Sequence, residues 1–321
     1  MKLEPWFWHE KSLAANAAAF ALSPAALLYD IGQQARAAAA RPRKIGAPVI
    51  CIGNATLGGV GKTPFALALN RLLKERGITA HFQSRGHGGT LRGPVRVDPQ
   101  HGAAEVGDEA LLLAREAATF VAKNRRRGAA AAAAGADVVI MDDGLQNPTV
   151  VKDCAFLLVD AADPSGNGRV FPTGPLREPM ARACRRADAV VLIGDGAPPV
   201  AAAKPLFRAH TTIEPQIAPQ AVVAFCGIGR PERFFSALEA HGFHLLDRIA
   251  FPDHHAFALS ELAMLRAKAK RAKAALITTE KDIVRLTGEA REGVAVAVLR
   301  MRIEEEDRLI DFALSKIGAP I

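Results

Sequence analysis

Cys51–Leu69 reads "CIGNATLGGVGKTPFALAL", and its reading decides the fold. A short apolar run enters a glycine-rich turn, which ends in Gly61-Lys62-Thr63 before an apolar stretch of helical spacing. That is the strand–loop–helix form of a phosphate-binding loop, G-x-x-x-x-G-K-[ST], with Thr56 standing where the pattern has its first glycine. The physical logic survives the departure. Gly58, Gly59 and Gly61 permit a backbone that turns successive N–H groups inward, Val60 among them, and the helix that follows directs its N-terminal dipole at an anion. Lys62 is placed to reach the outer phosphates and the Thr63 hydroxyl to bind Mg2+. Pro64 falls in the first helical turn, where a missing N–H costs nothing.

The partner element is "ADVVIMDDG" (136–144), an apolar strand whose carboxyl end carries Asp142 and Asp143. Ligands of open α/β sheets bind at that end, so these carboxylates are the candidate magnesium holders of an ATP or GTP site. Further strands are expected at 47–53, 78–84, 154–160 and 187–194, alternating with alanine-rich helices, one of them over 62–76. This rhythm predicts an α/β fold of the P-loop NTPase type, a mostly parallel sheet with helices on both faces. The segment before "ADVVIMD" reads as a helix ending in "KNRRRGAAAAAAG", its basic run a solvated face or a contact with anionic headgroups.

"GDGAPPVAAAKP" (194–205) breaks the rhythm and marks a boundary. Beyond it, 221–229, 244–251 and 274–282 repeat the strand pattern in a smaller unit. The extended stretches 206–215 and 296–304 flank that unit and are expected to pair as a two-stranded connector, with a last helix over 304–316 returning to the first domain. The expected division is an N-terminal helix over 1–40, a nucleotide-binding domain over 41–204, a smaller α/β domain over 205–302 and a C-terminal helix over 303–321.

The chain has 321 residues, half of them apolar, enough for two domains with real cores. A net charge of +8 calls for an anionic partner: nucleotide, anionic lipid or nucleic acid. Cys51, Cys154, Cys184 and Cys226 are scattered, which argues against a zinc site or disulfide framework and for a reducing compartment. The apolar run from Leu13 to Tyr29 is interrupted by Asn16 and Pro24 and falls short of the roughly 20 apolar residues of a spanning helix. Glu4, Glu10, Trp6 and Trp8 occupy the region that a cleaved signal would keep basic. Two readings stay open: a buried core helix, or a helix in a membrane surface with Trp6, Trp8, Arg36, Arg41 and Arg43 at the headgroups.

A phosphate loop alone does not separate a kinase from an ATPase or a nucleotide switch. "LGGVGKT" is similar to the loop of partitioning and arsenite-type ATPases, but Leu57 stands where those carry a signature lysine. Further along come "SRGHGG" (84–89), "VGDEA" (106–110), "DDGLQN" (142–147), "FPTGPLREP" (171–179), "AFCGIGRPERFF" (224–235), "FPDHHAF" (251–257) and "TTEKD" (278–282). In this order, from about Ile45 to about Leu286, the set resembles the tetraacyldisaccharide 4'-kinase (lipid A 4'-kinase) family, whose loop shares the Thr56 departure.

The resemblance implies transfer of the ATP γ-phosphate to the 4'-hydroxyl of tetraacyldisaccharide 1-phosphate, giving lipid IVA at the cytoplasmic face of the inner membrane. It implies Asp108 as the base, assisted by His254, with Lys62 on the phosphates and Glu178 supporting Mg2+ beside Asp142 and Asp143. Arg177 and Arg85 would contact anionic groups, and Glu109, Gln146 and His255 would belong to the substrate site. Neither nucleic acid nor an obligate protein partner is implied, and the N-terminal helix would meet the membrane. His87 replaces the family's usual aromatic, and Asn147 stands where its motif often has His, which a neutral amide cannot replace as a proton carrier. From the residues alone, Asp108 could equally cap a helix and His254 could be a satisfied core histidine. The competing functions are a soluble P-loop ATPase or small-molecule kinase, and a nucleotide-dependent switch.

Overall fold

The computed structural model describes residues 5–10, 12–198 and 204–319. Residues 199–203 of the expected boundary segment lie outside the described residues. The strands are β1 (Val49–Asn54), β2 (Ala80–Ser84), β3 (Val95–Arg96), β4 (Thr119–Val121), β5 (Val138–Asp142) and β6 (Cys154–Asp160), then β7 (Ala189–Ile193), β8 (Leu206–Pro215), β9 (Ala221–Cys226), β10 (His244–Ala250), β11 (Ala275–Thr279) and β12 (Val294–Ile303). The helices are α1 (Leu13–Ala21), α2 (Ser23–Ala39), α3 (Lys62–Glu75), α4 (Ala103–Val106), α5 (Asp108–Ala114) and α6 (Arg125–Ala133), then α7 (Met180–Arg186), α8 (Pro231–Ala240), α9 (Leu259–Arg271), α10 (Glu280–Ile283) and α11 (Glu306–Ile317).

One sheet runs through the described residues in the order β10-β9-β11-β12-β8-β7-β6-β1-β5-β2-β4-β3. It is mostly parallel; only β3 with β4 and β8 with β12 pair antiparallel. Strands β1, β5, β6 and β7 are buried at every residue. Their near-continuous apolar runs are what a strand covered on both faces requires. Alternate side chains part to opposite sides. Ile50, Ile52, Phe156 and Leu158 meet Phe65 and Leu69 of α3 and Leu309, Ile310 and Leu314 of α11. Cys51, Ala155 and Leu157 meet Met180 and Ala183 of α7 on the other face. Fully burying Leu309, Ile310 and Leu314 contributes about 1.5–3 kcal/mol each, so the last helix is tied to the phosphate-loop half of the sheet.

Strands β8 and β12 carry the sheet from that half into the strands β9, β10 and β11. A second tie between the halves is ionic: Arg230 and Arg233, at the start of α8, both donate to Asp160 Oδ2 at 2.6 Å. Asp160 is the buried last residue of β6, so both arginines sit near the carboxyl ends of the first-half strands.

Three local expectations change. The N-terminal segment is two helices, α1 and α2, bent by 53° where Pro24 starts the second. No residue of α2 is buried, whereas α1 buries Ala15 and Ala19. The basic run starts α6 rather than ending a helix, because Asn124 caps it by accepting from Arg127 N at 3.1 Å. Arg125 in that run is buried, not solvated. The short strands β3 and β4, which the sequence reading passed over, fill the space before it.

The arm α1–α2 is held at a few points. Trp8 is buried and its Nε1 donates to Pro172 O at 3.0 Å, and Arg182 grips Asp30 at 2.6 and 3.0 Å. Leu13, Phe20, Leu27, Leu28 and Ile31 remain exposed. Among the described residues no single helix is long and apolar enough to cross a membrane.

Candidate active site

The phosphate loop spans the step from β1 to α3. Gly58 and Gly61 have φ of 101° and 84°, a backbone that L side chains adopt at a cost. A Cβ at Gly61 would also come within 3.0 Å of Met301 Cε. Asn54, the last residue of β1, organises the loop: its Nδ2 donates to Thr56 O at 2.8 Å and Thr56 Oγ1 at 3.1 Å, and its Oδ1 accepts from Lys62 Nζ at 3.0 Å. Thr56 therefore adds a hydroxyl acceptor to the backbone carbonyl that glycine would also supply. The segment after β6 clamps the loop from outside, with Leu57 N donating to Pro175 O and Arg177 N to Ala55 O, both at 2.7 Å. Asn54 escaped the sequence reading, although a polar residue closing an apolar strand just before the loop was a visible signal.

Asp142 and Asp143 end in different environments. Asp142 is buried, and its Oδ1 has no hydrogen-bond partner among the described residues. Burial, reinforced by the negative charge of Glu109, pushes its carboxyl up to about 7. Asp143 turns back with φ of 51°, a left-handed conformation that costs roughly 1–2 kcal/mol. Arg125 Nη2 holds its carbonyl at 2.7 Å, Arg177 Nη1 grips its carboxylate at 2.8 and 3.0 Å, and Lys62 Nζ lies 3.6 Å away. Burial would raise this carboxyl too, but the Lys62 and Arg177 charges outweigh it and hold the group below the ordinary carboxylate range. Arg125 thus belongs to the site that the sequence reading left it out of.

A second cluster forms where the halves of the sheet meet. Gly107, with φ of 87°, is the residue before α5, so Asp108 is the first helical residue and not its cap. Its carboxylate is buried, and Oδ2 faces three groups from the far half: His254 Nδ1 at 3.1 Å, the Lys281 ammonium at 3.8 Å and the Arg285 guanidinium. Burial raises the Asp108 carboxyl, yet the His254 hydrogen bond and the charges of Lys281 and Arg285 outweigh it and hold the group ionised. His254 itself has φ of 60° and keeps part of its ring open, so it is no core histidine. The His87 ring lies 5.5 Å from it, and Lys281 also reaches Glu109 at 3.4 Å. The charge of Glu109, the neighbour of Asp108 in α5, acts on Asp142 at the end of β5.

A profile described as tetraacyldisaccharide-1-P 4'-kinase matches residues 18–317. The chain belongs to that family. Relatives named tetraacyldisaccharide 4'-kinase include one from Methylobacterium nodulans, 49% identical over 98% of this chain and 96% of its own. Another, from Rhodopseudomonas palustris, is 43% identical with the same two coverages. A solved structure of LpxK from Aquifex aeolicus in complex with ATP superposes with a TM-score of 0.77 at 26% identity, covering 94% of this chain and 99% of that one. The mostly parallel P-loop fold expected from the sequence is the fold of this kinase family.

The remaining residues singled out in this kinase sequence fall into different places. Glu178 is buried, with Oε1 accepting from Gln146 at 3.2 Å and Oε2 from Arg186 at 3.0 Å; Gln146 also donates to Asn54 O at 2.9 Å. Both thus brace the loop around Asn54. Asn147 closes its own turn by accepting from Thr149 N at 3.0 Å and Thr149 Oγ1 at 2.8 Å. His255 binds Glu261 at 2.9 Å and stacks on Phe251 at 4.8 Å, contacts separate from those of Asp108. Arg85 is exposed beside its glycine-rich turn.

Proposed function

We propose that the protein transfers the γ-phosphate of ATP to the 4'-hydroxyl of tetraacyldisaccharide 1-phosphate. The single observation that carries this reading is the Asp108–His254 pair, joined at 3.1 Å beside Glu109, whose charge acts on Asp142. A sugar hydroxyl is a poor nucleophile at neutral pH and needs a positioned proton acceptor. Asp108, with His254 on its Oδ2, takes that proton, while Lys62 and Arg177 offset the charge gathering on the phosphates. A nucleotide switch would have no use for a carboxylate–imidazole pair, and an ATPase would use it only on water.

The partnerless Oδ1 of Asp142, an oxygen ligand kept free inside the protein, fits Mg2+. No three His, Cys, Asp or Glu side chains converge as a metal cage among the described residues, and Mg2+ on a nucleotide needs none, since phosphates and water complete its shell. Asp142 and Thr63 would hold it, with Asp143 beside them and Glu178 bracing the loop; bound there, it neutralises phosphate charge. We assign residues 41–204 to nucleotide binding and 205–302 to a smaller unit that brings His254, Lys281 and Arg285 to Asp108, and 303–321 to the helix returning to the first.

With ATP, Mg2+ and detergent-dispersed disaccharide 1-phosphate, the expected product is the 1,4'-bisphosphate; ATP hydrolysis without it would overturn the assignment. The substrate is a bilayer lipid, so we place the enzyme at the cytoplasmic face of the inner membrane, with α1 and α2 lying in its surface. The exposed apolar residues of these helices support that reading. Changing Leu27, Leu28 and Ile31 together to Ser removes about 1.5–3 kcal/mol of insertion per side chain. Sedimentation with anionic vesicles should fall at least tenfold with the melting temperature unchanged; full retention on vesicles would refute the surface placement.

A further inference from the structure

Arg285 lies just past α10 and beyond the "TTEKD" motif, outside every motif of the sequence. Its side chain is only 6% exposed. Nη1 donates to Asp282 Oδ1 at 2.8 Å and to the Gly227 carbonyl at 2.9 Å, and Nη2 donates to Asp108 Oδ2. Asp282 is fully buried and anchored in turn, accepting from Gly227 N at 3.0 Å and from the Thr279 hydroxyl at 2.6 Å. Two fixed partners of the smaller half, Asp282 and the Gly227 carbonyl, therefore hold one edge of a rigid planar fork. The other edge is presented across the boundary to the carboxylate at the start of α5.

A buried ion pair is weak grounds for a role in stability alone, since the cost of desolvating both charges rivals their attraction. Here the construction serves direction instead. Guanidinium geometry fixes where an oxygen must sit, as an ammonium on a flexible stem does not. Lys281 illustrates the contrast: at 3.8 Å from Asp108, it is a quarter exposed and shared with Glu109.

We propose that Arg285 is a positioning residue for phosphoryl transfer, locking Asp108 of one half against His254 of the other so that the acid–base pair exists only when the halves are in register. This rests on the kinase reading above. The groups facing Asp108 are His254 from the loop after β10, Lys281 from α10, Arg285 itself, Glu109 on its own helix, and His87 beyond His254; Asp253 faces the far nitrogen of His254 at 3.7 Å. Without the guanidinium, burial acts on Asp108 with one fewer opposing charge, and its carboxyl moves back toward the ordinary range.

The test is a double-mutant cycle on the full chain, with turnover measured at saturating ATP and Mg2+ across pH. Arg285→Met is expected to lower kcat about 100-fold with the KM for ATP unchanged, and Arg285→Lys about 10-fold. The acid limb of kcat should move to higher pH in Arg285→Met and less so in Arg285→Lys. In an Asp108→Asn background Arg285→Met should cost less than about threefold more, because its effect passes through a carboxylate already gone. The proposal is overturned if Arg285→Met costs the same factor with and without Asp108, or if the acid limb stays in place. Should Arg285→Met not fold, Arg285→Lys decides by the same two readouts, and wild-type turnover in it also overturns the proposal. Full activity in Asp108→Asn alone would instead bring down the kinase site assignment, so the two failures are distinguishable.

Discussion

Asp108→Asn is expected to lower turnover by about 10³-fold while ATP binding stays within about twofold of the parent. The factor follows from what a positioned proton acceptor contributes, about 10²–10⁴-fold. Binding is spared because the phosphate loop is assembled without Asp108: Asn54, Lys62, Arg177 and Asp143 hold one another, and the Asp108 contacts run to His254, Lys281 and Arg285. Asn keeps the size of the side chain and removes the charge. ATP affinity by calorimetry and single-turnover rates by product analysis separate the two effects. Equal loss of binding and turnover would place Asp108 in the nucleotide shell and sink its role as acceptor.

Asp142→Asn is expected to have the second largest effect and to split activity from stability. Turnover should fall about 10²–10³-fold, the usual cost of deleting one preorganised electrostatic contact. In the magnesium-free protein the same substitution should raise the melting temperature at pH 8. The sign follows from linkage. The Asp142 carboxyl is raised from its ordinary value to about 7, so the folded protein holds a proton there that the unfolded chain releases. Stability from this group is present below the unfolded value and is lost as pH rises toward 7. A neutral amide does not titrate, so the variant escapes that loss, and the gain should vanish at pH 4. Mg2+ should stabilise the parent and not the variant. A parent melting temperature indifferent to Mg2+ would remove Asp142 from the metal assignment.

The parts of the site legible in the sequence were those in which chemistry is carried by adjacent residues. Gly58 to Thr63 declare a phosphate loop because the backbone that binds the anion is the backbone quoted. Asp142 and Asp143 were found because strand polarity puts the carboxyl end of β5 beside that loop. Arg125 and Arg285 were not found, for a shared physical reason. A lone arginine in a basic or mixed stretch is solvated unless the fold buries it, and what buries these two lies far along the chain. Arg125 reaches Asp143 and Gln83, and Arg285 reaches Asp108 and Gly227.

The sequence by itself determined the α/β alternation, the phosphate loop and the family, because each is written in local periodicity or contiguous motifs. Only the tertiary structure decided that Asp108 is held ionised by the His254 hydrogen bond and the charges of Lys281 and Arg285, all from the opposite half. It also decided that Asp142 and not Asp143 keeps a free oxygen, and that the N-terminal helices leave their apolar side uncovered. Charge state and exposure depend on which groups approach through space, and the distance between Asp108 and Arg285 along the chain carries no trace of their contact.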